Sequence, residues 1–137
     1  MKKIFAIILA LITVMGASSA FAADVKVLVN GEEVSFDRGP VVEGDVIMIP
    51  YRFVAEKLGA KVSWHQETQT VFSEYNGSII TTQIGNNLMF VNNAVYTIDV
   101  APTLETDRTM VIPNVFENGM GVKVTWDAEN ATVIIEK

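Results

Sequence analysis

From Val25 onward, apolar and polar residues alternate in short runs, and almost every run stops at a turn signal. Residues 25–29 are β-branched and alternating. Asn30-Gly31 and a second apolar run at 34–36 follow. This predicts a β-hairpin, because glycine accepts the positive φ of a tight turn. Glu32 and Glu33 fall in the predicted turn, facing solvent. Gly39-Pro40 interrupts the pattern, a short run at 41–42 precedes the turn at 43–45, and 46–49 reads as a buried strand. Pro50 ends it and opens a helix, since the missing N–H of proline has no partner in a first turn. Apolar residues at 51, 54, 55 and 58 have helical spacing, and Gly59 supplies the left-handed stop. A helix of two turns has little stability alone and must lie against a sheet. Strands are predicted at 61–64 and 70–73 around a polar turn. Asn76-Gly77 then turns into 79–82.

The pattern then recurs. Strands are predicted at 88–91 and 95–98 around Asn92-Asn93, with Pro102 answering Pro40 and a strand at 109–112 answering 46–49. A short helix follows at 115–120, and a closing hairpin pairs 122–126 with 132–135. The run Ile49-Pro50-Tyr51-Arg52-Phe53-Val54-Ala55-Glu56-Lys57-Leu58-Gly59-Ala60-Lys61-Val62-Ser63-Trp64 is echoed by Ile112-Pro113-Asn114-Val115-Phe116-Glu117-Asn118-Gly119-Met120-Gly121-Val122-Lys123-Val124-Thr125-Trp126. Pro50 matches Pro113, and Phe53 matches Phe116, at an offset of 63. Gly59 matches Gly121, and Trp64 matches Trp126, at an offset of 62, so the second copy lacks one residue in its helix. Two copies, at about 25–74 and 88–137, predict an α+β fold. Each is a β-hairpin, strand, short helix and β-hairpin, and the two share one core of twisted antiparallel sheets with two short helices. With no low-complexity linker between them, 23–137 is expected to be a single domain.

Residues 1–22 carry Lys2 and Lys3, an apolar stretch from Ile4 to Met15 and the small-residue ending Ala20-Phe21-Ala22. That is the pattern of a cleaved secretory signal peptide, with an apolar core too short to span a membrane. Its removal takes Lys plus Arg from 10 to 8 against 16 Asp plus Glu, so the formal charge moves from −6 to −8. An acidic chain disfavours nucleic acid and anionic lipid as partners. There are no cysteines, which removes thiol catalysis, iron–sulfur clusters and thiolate zinc sites. Asn76-Gly77-Ser78 and Asn130-Ala131-Thr132 match the glycosylation pattern but are read as turns.

The first copy of the repeated run resembles the copper amine oxidase N-terminal-like domain, also called the stalk domain, and the resemblance extends over about residues 25–137. It is specific over 49–64. The second copy is degenerate, with Val115 where the motif has arginine. The resemblance implies a secreted or cell-surface protein, mostly of Gram-positive bacteria, often found beside wall-anchoring or hydrolase modules. It implies no activity, because the family is named after a peripheral domain of an oxidase whose copper and quinone residues lie elsewhere. The single histidine of this chain falls far short of a copper site of three imidazoles.

The residues that define the repeat, Pro50, Arg52, Phe53, Glu56, Gly59, Pro113, Phe116 and Gly121, are assigned structural roles. Arg52 and Glu56 have the i, i+4 spacing of a helical ion pair. His65 and its counterpart Asp127 are read as turn residues, since either type serves there. Asp127, Glu129 and Asn130 place oxygens near one another but lack the pattern of a calcium loop. Trp64, Tyr96 and Trp126 are the candidate ligand-binding residues. Exposed rings could stack on the sugars of a wall polymer, whereas recurrence at equivalent positions favours core packing of the tryptophans on Phe53 and Phe116. The expected function is a non-catalytic secreted or wall-associated interaction module with no cofactor and no metal. Its partner would be a cell-wall polymer or another surface protein. The alternative is a carbohydrate-binding protein built on those rings.

Overall fold

A computed structural model describes residues 25–137; the leader expected over 1–22 lies outside them. Strand β1 (Lys26–Val29) turns into β2 (Glu32–Glu33) through Asn30 and Gly31, at φ +50° and +86°. Two successive positive φ values match the natural twist of a hairpin. The turn is therefore only two residues long, which puts the glutamates in the ladder rather than in the turn. Residues 34–36, read as the second strand, lie beyond it. Val34 turns inward, its N–H donating to the Val27 carbonyl at 2.9 Å.

A second hairpin, β3 (Val41–Glu43) and β4 (Val46–Pro50), runs directly into helix α1 (Tyr51–Lys57). The end of α1 is a six-to-one turn. Ala60 N–H donates to the Ala55 carbonyl and Gly59 N–H to that of Glu56, with Gly59 at φ +104°. Strands β5 (Lys61–His65), β6 (Thr70–Tyr75) and β7 (Ser78–Gln83) then meander antiparallel. The hairpin β8 (Leu88–Val91) and β9 (Ala94–Thr97) joins the same sheet, giving five strands in chain order.

Next come β10 (Thr103–Glu105), which the hydrophobic pattern missed, and β11 (Arg108–Val111). Every side chain of β10 is exposed, so it has no apolar periodicity to read. Helix α2 (Val115–Met120) stops at Gly121, φ +67°, whose N–H donates to the Glu117 carbonyl. The chain closes with β12 (Lys123–Asp127) and β13 (Thr132–Glu136).

The architecture is mostly β-sheet with two short helices, arranged as the five-stranded sheet and two sheets of four. One four-stranded sheet sets the two middle hairpins side by side through β4 and β11, pairing Pro50 with Met110 and Ile49 with Val111. The other has the order β12-β13-β1-β2. There β1 pairs with β13 in parallel, from Lys26 with Thr132 to Val29 with Ile135. This departs from the antiparallel pairing expected. Hairpins impose antiparallel neighbours, whereas these strands are joined only through the rest of the chain and are free of that rule. Val27, Val29, Ile49, Val54, Met89, Val111, Phe116 and Ile135 are almost fully buried in one hydrophobic cluster.

Two contacts fix the helices. Tyr51 stacks on Phe116 with ring centroids 5.2 Å apart and planes 15° from parallel, joining α1 to α2. The Tyr51 hydroxyl shares a buried 2.7 Å hydrogen bond with Ser73 Oγ of β6. Burial pushes the Tyr51 phenol up to about 12, from an ordinary 10.0. Below pH 10 the phenol is protonated in both folded and unfolded chains and its ionisation costs nothing. Above that, the unfolded chain ionises first, so stability should fall by about 2 kcal/mol as pH rises from 10 to 12. Urea midpoints at pH 9 and 11.5 should show that loss in the wild type and a smaller one in Tyr51→Phe. At neutral pH Tyr51→Phe should already cost about 1–2 kcal/mol by leaving Ser73 buried and unpaired.

Two further substitutions should raise the urea midpoint. Thr82 Oγ1, on the inner face of β7, is buried without a protein partner, so Thr82→Val should stabilise by about 1 kcal/mol. Gly119 sits inside α2, and an added Cβ would lie 3.4 Å from Ile80 Cγ2 and 3.8 Å from Met89 Sδ, which is ordinary contact. Gly119→Ala should therefore gain about 0.5–1 kcal/mol from helix propensity.

Candidate functional site

Two grooves of similar size flank the central sheet. The first, of about 450 Å³, is floored by Pro50, Val62, Trp64 and Val71, with Thr109 and Arg108 from β11 on its far side. The second, of about 440 Å³, is floored by Pro113, Val124, Trp126 and Val133, with Val46 and Asp45 from the β3–β4 hairpin on its far side. Each of these six positions in one groove matches a position in the other at the offset of 62 or 63 residues found in the sequence. Phe53 and Arg52 of α1 add to the first groove; Asn114 and Asp99 add to the second.

The floors follow from strand alternation. On β5, Val62 and Trp64 face inward and are half-buried, while Lys61, Ser63 and His65 face solvent. Trp64 Nε1–H donates to Gln66 Oε1 at 2.7 Å, which fixes the indole at the groove wall. Trp126 on β12 is 39% exposed. Trp64 packs against the edge of the core and Trp126 is the more exposed, so equivalent places in the sequence do not give the two indoles equal cover. Phe116 lies beneath α2 against Tyr51, and Phe53 meets Phe36 edge-on at 5.7 Å. Tyr96, half-buried on β9, lines neither groove. The three candidate aromatic residues therefore occupy three separate places.

The helices are tied to the groove strands in two ways. In the first half, Arg52 Nη2 donates to the Val62 carbonyl at 2.8 Å, and its Nε lies 3.4 Å from Glu56, the i, i+4 pair expected. In the second half, Glu117 accepts from the Val124 N–H at 3.3 Å and from Asn114 Nδ2 at 3.2 Å. Glu117 does with an acceptor what Arg52 does with a donor, at a residue that the repeat motif does not mark.

Several ionisable groups near the grooves are engaged in the fold. Arg108 forms an ion pair with Asp37 and lies 5.7 Å from the Phe53 ring centroid. The hydrogen bond to Arg108 holds the Asp37 carboxyl below its usual range and raises the guanidinium in turn. Glu32 is lowered by its hydrogen bond to Lys57, 2.8 Å away. His65 Nδ1 shares a 3.3 Å contact with Thr68 Oγ1, and Asp127 accepts from Asn130 N–H and Nδ2, so both side chains bond within their own turns. Among the described residues, no group of three or more His, Cys, Asp or Glu side chains could hold a metal ion.

No curated protein matches this chain. The copper amine oxidase N-terminal domain family matches residues 28–135, from β1 to β13 and across both grooves. The matched region is the N-terminal domain of that family and not its catalytic domain. With most of its length covered by that match, the chain belongs to the copper amine oxidase N-terminal domain family.

Proposed function

We propose that this protein is a non-catalytic interaction module, secreted or held at a cell surface, and built from two repeats over about 25–74 and 88–137. The observation that carries this reading is the pair of grooves. Each offers an indole, two valines and a proline, which suits binding better than bond-making. A general acid or base would need positioned groups with separated pKa values, whereas Arg52 and Arg108 at the first groove are held in ion pairs with Glu56 and Asp37. The leader pattern at 1–22 supports export, and the family resemblance supports a Gram-positive surface. Among the described residues no helix is long and apolar enough to cross a membrane. The acidic charge favours a protein or neutral polymer over nucleic acid.

The exposure of Trp126 favours a second reading, carbohydrate binding by ring stacking in the grooves. Tryptophan emission and acrylamide quenching, titrated with peptidoglycan and with cell-wall polysaccharide, separate the two. Protection of the indoles by one polymer, lost in Trp126→Ala or Trp64→Ala, establishes the carbohydrate reading. Emission indifferent to both polymers leaves a protein partner. Substrate turnover abolished by a single substitution in either groove would overturn the non-catalytic reading.

A further inference from the structure

A second surface is separate from both grooves: the outer face of the five-stranded sheet. Its registers align Ser63, Phe72, Thr81, Phe90 and Val95 in one row across β5 to β9. Alternation puts these side chains opposite Val71, Ile80 and Met89, which fill the core. Ile79 and Leu88 share the outer face with the row. Exposures of 38–55% for Phe72, Ile79, Leu88, Phe90 and Val95 make this the main apolar surface of the described residues; Leu104 and Trp126 are the other large exposed apolar side chains. Exposed apolar residues scattered singly need no explanation, but a contiguous set on one flat face does. A shallow hollow of about 280 Å³ between Lys61, Ser63, Phe72, Glu74 and Ile79 lies at one end of it.

We propose that this face is a binding platform for a neutral, flat, β-1,4-linked glycan, with Phe72 and Phe90 as its stacking rings. Three observations select this occupant. The first is spacing. Phe72 and Phe90 stand at the same register on strands two apart, about 10 Å from each other. That distance carries an extended ribbon of sugars from one ring to the next but one, the pair that present the same face. Hydroxyls of Ser63, Thr81 and Thr97 lie on the same side and can reach equatorial sugar hydroxyls.

The second observation is charge. Lys61 and Glu74 are register partners and offset each other, so the face itself is close to neutral on a chain of net charge −6. Anionic polymers and anionic lipid would be repelled. The third is area. Five strands of four to six residues give a face of about 400 Å². A stable pair of copies needs about 800 Å² on each partner. The face is too small to hold a second copy alone, while a ribbon ligand needs only a strip of it.

The inference does not depend on Trp64 or Trp126, so it stands or falls separately from the groove reading. The test is co-sedimentation of the purified protein with insoluble chitin and cellulose, using α-linked starch granules as a control. The variants are Phe72→Ala/Phe90→Ala, Thr81→Lys and Trp126→Ala, each checked for folding by circular dichroism. Retention on a β-linked glycan but not on starch is expected, weakened about ten-fold or more by the double variant and by Thr81→Lys. Trp126→Ala reports on the second groove, while a Glu129→Ala control, in the exposed β12–β13 turn and outside the grooves and the face, should be retained like the wild type. If the double variant fails to fold, Thr81→Lys carries the test, since it places a charge in the row without emptying the core.

Four outcomes overturn the proposal: no retention on chitin or cellulose, equal retention on starch, retention that survives the Phe and Thr substitutions, or retention lost only in Trp126→Ala. The last transfers binding to the second groove. Sedimentation equilibrium showing a dimer abolished by Thr81→Lys, without glycan retention, would instead make the face an interface between copies.

Discussion

Strand β1 makes only two ladder pairs with β2, so its hydrogen bonding is completed by β13, at the far end of the chain. Everything else in the core waits on that pairing. Val27 and Val29 of β1 and Val133 and Ile135 of β13 are at most 2% exposed. Each such side chain is worth about 2 kcal/mol when removed from water. None of the four is covered by its own hairpin alone. Asn30 reinforces the closure, since its N–H donates to the Ile135 carbonyl and its Oδ1 accepts from Lys137 N–H. A contact this distant in sequence carries a large loop-closure cost before it is rewarded.

The central sheet sets the second constraint. Because β4 pairs with β11, the residues that follow each strand are forced into the same neighbourhood, and both helices start there. Tyr51 begins α1 and reaches Phe116 near the start of α2. Each groove is then bounded by the strands of one half and the middle hairpin of the other. The rims differ in charge: Arg52, Arg108 and Asp107 stand at the first groove, Asp45 and Asp99 at the second. The floors are alike and the rims are not, so the two grooves offer similar apolar contact with different electrostatics.

Much of this order was legible in the sequence. Helix α2 was placed at its observed bounds, and α1 and most strands lay within a residue or two of theirs, because Pro–helix–Gly punctuation and period-two alternation are local signals. The tight turns at Asn30 and Asn76 were readable for the same reason; their positive φ values are what Asn-Gly pairs accommodate. Strand β10 was not readable, since its side chains are all exposed. The parallel pairing of β1 with β13 was not readable either, because sequence adjacency carries no information about it. Arg52 with Glu56 was visible as a spacing, but the bond from Arg52 to Val62, and its replacement by Glu117 on Val124, depend on how the helices lie on their strands.

Alternation also has a limit at the aromatic residues. It says which positions share a face, but not whether that face is covered. Val62 and Trp64 share one face of β5 and read as core, yet that face borders a groove. Phe72 stands opposite Val71 and Ser73, and Phe90 opposite Met89 and Val91. The inward set faces the helices, with Ser73 bonded to Tyr51 and Met89 beside Gly119. No element follows β9 to cover the outward set, because the chain leaves through Pro102 to build the middle sheet. Among the described residues, the two helices lie on the core side of the sheets. The exposed row of Ser63, Phe72, Thr81, Phe90 and Val95 is thus a consequence of topology, and its apolar composition is left for a ligand to explain.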